Sequence, residues 1–460
     1  MAEPYERLSE QKRFVAQLAE PRFVRVPAAR EPQVLVALRR RVNQCRDTEL
    51  LDESREFSAA CGSFAKIDEM DFHPALAKES ECAPRILALW CAEYLNFHVS
   101  LRFGRRAGLR ASATYYHAYA DSRKLFDAPL AGSLGTTEER LRPFEPSWLL
   151  PGGHLPTIWG KKMRRRTLVH DRVERLATPD GDHLTLARVG TPRPGVPHLL
   201  ILHGLEGTLG AKYAHGLLAL ARHSGWSGDL LLFRTCDGEM NSARRLYHSG
   251  ETTDTNFVVR RLVADTPGIQ IVVCGVSLGG NVLVKWLGEL GETARALVHR
   301  AAAVSVPFDL TAGSRYLERG FSRLYAKHFL RTLRPKALAK LDQFPGAFDR
   351  ARASSAQTFF EFDDAVTAPL HGFRDAADYY DRSSSLRFIE EVRVPTLLFN
   401  SHDDPFVPPI VMAQARSLAT MNNIVTVDFT NRGGHVGWIE GTILPRYYYM
   451  ESRVIEYLSL

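Results

Sequence analysis

Short, largely apolar runs recur through the second two-thirds of this 460-residue chain, at 197–202, 229–233, 269–274, 301–306, 395–399 and 424–429. Each is five or six residues long and bounded by polar, Gly or Pro positions, the pattern of a strand buried on both faces. Between most of them, 213–223, 253–263 and 281–290 place apolar residues at three- and four-residue steps, as a helix with one inward face does. Two further strands, 172–176 and 183–188, flank Pro179-Asp180-Gly181-Asp182, a hairpin signal. Buried strands alternating with helices predict an α/β fold with a mainly parallel central sheet covered on both faces. A long helix-rich insertion, about 307–392, interrupts the alternation. Its size and position predict a helical cap over the carboxyl edge of the sheet.

Residues 1–144 follow a different pattern. Stretches 31–43 and 85–103 have helical spacing without strands, and Ile86, Leu89, Trp90, Tyr94 and Phe97 form an apolar face suited to a core. A linker rich in Gly, Thr and Pro, 131–146, follows. The expected organisation is a separate, mostly helical N-terminal segment, 1–144, whose role the sequence leaves open, and a second domain, 145–460.

Composition narrows the function classes. With 45% hydrophobic and 24% charged residues the chain can bury a large core. The first residues carry mixed charge and no apolar h-region, no run approaches the roughly 18 apolar residues of a membrane span, and the six cysteines include no C-x-x-C pair. A cytoplasmic protein with reduced thiols is expected. Cys45, Cys61, Cys82, Cys91 and His73 are too widely spaced to resemble a zinc site, so no metal is expected. The net charge of +7 comes without a basic stripe interleaved with aromatics, so nucleic acid is not an expected partner. Arg315, Arg319, Arg323, Lys327 and Arg331 do recur every fourth residue beside an apolar stripe that includes Phe321 and Leu324. Read as one helix, they form either a solvated face or a surface for peripheral contact with anionic lipid.

Gly275-Val276-Ser277-Leu278-Gly279 lies between the run at 269–274 and the helix at 281–290. A G-x-S-x-G between strand and helix is the setting of a nucleophile elbow, with small residues where backbones approach closely. A serine hydroxyl needs a base, and the base needs an acid to hold its tautomer. Downstream, the strand at 395–399 leads into His402-Asp403-Asp404-Pro405-Phe406-Val407-Pro408, and the run at 424–429 into Gly433-Gly434-His435. Asp404, in an Asp-x-x-Val-Pro setting, is the expected acid, with Asp403 as the alternative that otherwise caps the turn. His435 is the expected general base. An oxyanion would take one N–H from Leu278 and another from Leu205, in His203-Gly204-Leu205-Glu206-Gly207 after the strand at 197–202.

Seven segments carry a resemblance that covers about two-thirds of the chain. They are Gly153-His154-Leu155-Pro156-Thr157, His203-Gly204-Leu205-Glu206-Gly207, Tyr247-His248-Ser249-Gly250-Glu251-Thr252, Gly275-Val276-Ser277-Leu278-Gly279-Gly280-Asn281, Glu361-Phe362-Asp363-Asp364, Asp403-Asp404-Pro405-Phe406 and Gly433-Gly434-His435. From about Pro146 onward the chain resembles the YheT-type branch of the α/β-hydrolases, which includes monoacylglycerol and phospholipid hydrolases and acyl-CoA:alcohol acyltransferases. The resemblance implies a triad of Ser277, Asp404 and His435, a carboxylic-ester substrate and no cofactor. Arg234-Thr235-Cys236 departs from the Arg-Gly-Cys of such relatives, which bears on the local loop shape. Hydrolysis of an acyl ester through an acyl-enzyme is the expected activity. Acyl transfer to an alcohol by the same triad stays open, as does a binding or scaffold role built on the N-terminal segment.

Overall fold

The computed structural model describes residues 143–164, 168–441 and 447–460, all within the unit Gly132–Leu460. The helices expected at 31–43 and 85–103, and the cysteines weighed with His73, lie outside the described residues.

Eight strands form one sheet: β1 (Arg172–Ala177), β2 (His183–Val189), β3 (Pro197–Leu202), β4 (Ser227–Leu232), β5 (Gln270–Val276), β6 (Arg300–Val304), β7 (Thr396–Ser401) and β8 (Val425–Thr430). Their order is β1-β2-β4-β3-β5-β6-β7-β8. The β1–β2 and β2–β4 pairs are antiparallel and the remaining neighbours parallel. The helices that matter here are α1 (His154–Lys162), α2 (Lys212–His223), α3 (Thr253–Asp265), α4 (Leu278–Leu290), α5 (Leu310–Leu317), α6 (Arg323–Gln343), α7 (Ala376–Ser383), α8 (Pro409–Thr420) and α9 (Tyr449–Leu458).

Both faces of the sheet are covered, and β5 shows why its sequence is continuously apolar. Ile271 and Val273 enter one core with Val258 of α3, Val282 of α4 and Val411 of α8. Val272, Cys274 and Val276 enter the other with Leu217 of α2 and Val454 of α9. Side chains of a strand alternate between faces, so a strand sandwiched by helices must be apolar at every position. The sheet gives the site its place. The chain passes from β3 to β4 on one side and reaches β5 on the other, opening a crevice at their carboxyl ends.

The cap lies between β6 and β7. α5 and α7 each start at an aspartate whose side chain accepts an N–H of the first turn, Asp309 from Ala312 and Asp375 from Asp378. Leu330 and Ala337 of α6 pack with Ala353, Phe362 and Val366 into a small core of the cap itself. Buried Lys340 donates to the carbonyls of Asn241 (2.6 Å) and Ala243 (2.8 Å), tying α6 to the loop after β4. The expectation of one cationic helix from Arg315 to Arg331 is corrected: α5 ends at Leu317, a short 3₁₀ turn spans Gly320–Ser322, and α6 starts at Arg323. Gly320 at φ +48 breaks the helical path. All five cations are nonetheless exposed.

Candidate active site

Strand β5 runs to Val276 and α4 begins at Leu278, leaving a single residue, Ser277, to make the turn. Ser277 sits at φ +56, ψ −118, a conformation L-residues avoid, at a cost on the order of 1–3 kcal/mol. Neighbouring glycines make room for it. A Cβ on Gly279 would reach 2.6 Å from the His203 carbonyl oxygen, and one on Gly275 would press on the backbone of Gly279 and Gly280. Ser277 N–H donates to the Val304 carbonyl at 2.8 Å, which fixes the elbow to β6.

Three side chains far apart in sequence meet above the sheet. His435 Nε2 lies 2.8 Å from Ser277 Oγ, and His435 Nδ1 lies 2.8 Å from Asp404 Oδ2. A carboxylate only accepts, so Nδ1 carries the proton and Nε2 is left to accept from the serine hydroxyl. Asp404 is 1% exposed, and its Oδ1 accepts the Phe406 N–H at 2.8 Å. The Phe406 ring stacks on the imidazole, centroids 4.1 Å apart, and shields that face from water.

Asp403 does not reach the imidazole. Its Oδ1 accepts the Gly434 N–H at 2.8 Å, so it holds the histidine loop instead of capping its own turn. Two further anchors were not foreseen. Thr157 Oγ1 on α1 accepts the His435 N–H at 2.8 Å while donating to the Gly153 carbonyl at 2.6 Å. Ser305, at φ +49 after β6, accepts the Val436 N–H at 3.0 Å. Thr157 belongs to one of the segments that carry the family resemblance. Ser305 has no local signal.

The loop after β3 approaches the elbow closely: a Cβ on Gly204 would lie 3.1 Å from Ser277 Cβ. Gly204 therefore serves close approach; its φ is not positive. His203 sits beneath the loop, with Nε2 accepting the Phe233 N–H (3.1 Å) and Nδ1–H donating to the Gly204 carbonyl (2.7 Å). Burial drives its pKa down to about 4, so the neutral tautomer persists. The amides on either side of Leu205 are occupied: Gly204 N–H donates to Tyr213 Oη (2.9 Å) and Glu206 N–H to Tyr247 Oη (2.8 Å). Leu205 N–H is left without an acceptor among the described residues. Leu278 N–H, in the first turn of α4, likewise has no intrahelical partner. The two leucines, Ser277 and His435 line one cavity, beside the positive end of α4.

That cavity, about 150 Å³, lies between sheet and cap. Its wall is mostly apolar: Leu246, Leu310, Leu317, Phe329, Leu333, Phe359, Phe362, Val366 and Leu370. The polar exceptions include Lys336, His248, His371 and Asp363. Asp363 accepts from Thr367 Oγ1 (2.5 Å) and Tyr380 Oη (2.7 Å), and burial raises its pKa to about 6. Burial also lowers His248, to about 3. Among the described residues no group of three or more His, Cys, Asp or Glu could hold a metal, and no helix is long and apolar enough to cross a membrane.

The chain is similar to one family and to three relatives. Residues 197–442 match the family described as alpha/beta hydrolase fold. The chain is 38% identical over 310 residues to YheT of Escherichia coli (strain K12), covering 66% of this chain and 90% of that one. It is 30% identical over 311 residues to phospholipase ABHD3 of Mus musculus (64% and 74%) and 28% identical over 262 residues to the monoacylglycerol lipase of Saccharomyces cerevisiae (55% and 57%).

Proposed function

Because the chain belongs to the α/β-hydrolase family, in its YheT-type branch, and is an esterase or lipase-type hydrolase, we propose that it cleaves carboxylic esters through an acyl-enzyme on Ser277. The observation that carries this reading is the unbroken relay Ser277–His435–Asp404, with both contacts at 2.8 Å. Ser277 Oγ attacks the ester carbonyl carbon as its proton passes to His435 Nε2. The imidazolium is stabilised by the Asp404 carboxylate, and the carbonyl oxygen, now an oxyanion, takes the Leu205 and Leu278 N–H groups. Collapse breaks the bond to the alcohol, which leaves with the proton from His435. Water then repeats the sequence at the acyl-serine, giving the acid and restoring the serine. The apolar cavity wall suits an aliphatic acyl chain. No metal or cofactor enters any step.

Ser277→Ala tests the reading. It should abolish hydrolysis of a p-nitrophenyl ester and labelling by a fluorophosphonate probe; retained turnover would remove Ser277 from the mechanism. A wild-type protein that the probe never labels would favour the binding-protein reading. Product analysis with an acyl-CoA, with and without glycerol or ethanol, separates hydrolysis from acyl transfer.

Contact with an anionic lipid surface belongs to the same reading. Arg319, Arg323 and Lys327 are exposed and have no carboxylate partner among the described residues, and beside them Phe321 is 48% and Leu324 53% exposed. Cations flanking exposed apolar side chains suit the headgroup region of an anionic bilayer. Changing those three cations to Glu should abolish co-sedimentation with phosphatidylglycerol vesicles; undiminished binding would refute the contact.

A further inference from the structure

The loop that presents the Leu205 N–H is held from the cap as well as from the sheet. Glu206, directly after it, stands at φ +54, so its backbone is strained and needs outside support. Tyr247 supplies part of that support twice: its hydroxyl accepts the Glu206 N–H at 2.8 Å and donates to Glu206 Oε1 at 2.9 Å. The Tyr247 ring is fixed in turn by stacking on Phe233, centroids 5.7 Å apart. The remaining tie comes from the inserted cap. Lys336 Nζ on α6 donates to the same Glu206 Oε1 at 2.9 Å. Its side chain is 27% exposed and that of Glu206 10%, so the pair is shielded and screened less than a surface pair. Pro335, just before Lys336, has no N–H to give the carbonyl one turn back, so α6 is least self-supporting where this contact is made. Both charged groups line the cavity that holds Ser277.

Resting on the reading of Leu205 N–H as an oxyanion donor, we propose that Lys336 and Glu206 are positioning residues that make this donor depend on a seated cap. With α6 in place, the Glu206 side chain is pinned between Tyr247 and Lys336, and the preceding peptide points its N–H at the developing oxyanion. With α6 displaced, Glu206 keeps only Tyr247 and its strained backbone can relax, which swings the Leu205 amide away. A substrate that fills the apolar cavity holds α6 down, so binding of the acyl chain and alignment of the donor are coupled.

The test uses the full-length chain and the variants Lys336→Met, Lys336→Arg, Glu206→Gln and the double variant Glu206→Gln/Lys336→Met. Two quantities are read: kcat and KM on a p-nitrophenyl ester, and inhibition by an acyl-matched trifluoromethyl ketone. Ser277 adds to that ketone to give a hemiketal whose oxygen occupies the oxyanion position. Losing an oxyanion donor outright costs about 10²–10³ in kcat, so misaligning one in Lys336→Met should cost roughly tenfold, with KM within about twofold. The ketone should weaken by the same factor. Lys336→Arg should restore most of the loss, and Glu206→Gln should add little to Lys336→Met because both act through one contact. Should Lys336→Met fold poorly by circular dichroism, Glu206→Gln, which preserves the size and shape of the side chain, carries the same kcat and ketone comparison. A rise in KM at constant kcat would overturn the proposal by making Lys336 a substrate contact, and so would a fall in kcat with ketone affinity unchanged. A wild type that the ketone fails to inhibit, or full activity in Ser277→Ala, would sink the underlying serine mechanism and the proposal with it. Those results appear without any Lys336 variant, which keeps the two failures apart.

Discussion

Asp403 and Asp404 are neighbours in the chain but grip different atoms of the same loop: Asp404 Oδ2 meets His435 Nδ1, whereas Asp403 Oδ1 accepts the Gly434 N–H, each at 2.8 Å. Their replacements should therefore fail differently. Asp404→Asn puts an amide where the imidazole needs an acceptor and permits the wrong tautomer, so kcat should fall by about 10⁴ with little change in melting temperature. Asp403→Ala removes one loop anchor and should lower stability by about 1 kcal/mol, with less than a tenfold loss of kcat. Steady-state kinetics beside thermal melts of both variants distinguish these outcomes.

Gly204, in the loop after β3, and Gly279, in the elbow, lie where these two segments meet and should respond unequally to a methyl group. A Cβ at Gly279 meets carbonyl oxygens of Leu202 and His203, which are backbone and cannot step aside. Gly279→Ala should cost about 3 kcal/mol or more, or abolish soluble expression. At Gly204 the nearest atom is Ser277 Cβ at 3.1 Å, so a shift of a few tenths of an ångström relieves the contact by moving the nucleophile. Gly204→Ala should stay folded and lose most of its activity, measured as kcat on a soluble ester alongside circular dichroism.

Thr235 stands at φ +66, a conformation that costs a β-branched residue on the order of 1–2 kcal/mol. Glycine, which adopts this conformation without a Cβ clash, is what the resemblance implies at that place. Thr235→Gly should gain about 1 kcal/mol after the extra flexibility of glycine in the unfolded chain is offset. A higher Tm with ester turnover within about threefold of wild type is the expected result; a lower Tm would show that the threonine side chain earns its position.

Asp363 gives stability a pH dependence of predictable sign. Burial raises its pKa to about 6 from the ordinary 3.8, so the folded protein binds the proton more tightly than the unfolded chain. Its contribution is most favourable below pH 3.8 and is lost as pH rises through 6. The difference corresponds to about 3 kcal/mol, an upper bound for a group that also accepts two hydroxyls. Asp363→Asn abolishes this titration. The variant should gain on wild type between pH 4 and pH 7, read as the difference in Tm at the two values, and a pH-independent difference would refute the assignment.

The sheet and the meeting of Ser277, His435 and Asp404 were legible because their signals are local. Buried strands must be apolar on both faces, the elbow needs small residues around Ser277, and Asp404 and His435 follow strands in the required chain order. Strand ends were less so: β5 continues to Val276 because Gly275 and Val276 still pair with β6. The cap resisted reading because α6 mixes exposed Lys327 and Arg331 with a fully buried Lys340 whose carbonyl partners lie 97 and 99 residues away. A lysine's burial is decided by acceptors from elsewhere in the fold, which no window of neighbouring residues contains. Helix α9 went unread for a related reason, since its inward face includes Glu451, paired with Arg164. The contacts of Thr157, Ser305 and Lys336 join residues far apart in sequence and form only once the chain has folded.

Helix α1 sets a lower limit on what can be trimmed from this enzyme. A chain beginning at β1 would retain the whole sheet, the cap and every side chain of the relay. It would lack Thr157, the hydroxyl that receives the His435 amide across 278 residues. His435 would then hang from a glycine-rich tether with one mooring cut. Engineering a minimal version should therefore keep the chain from Gly153 onward, although the match to the family described as alpha/beta hydrolase fold starts only at residue 197.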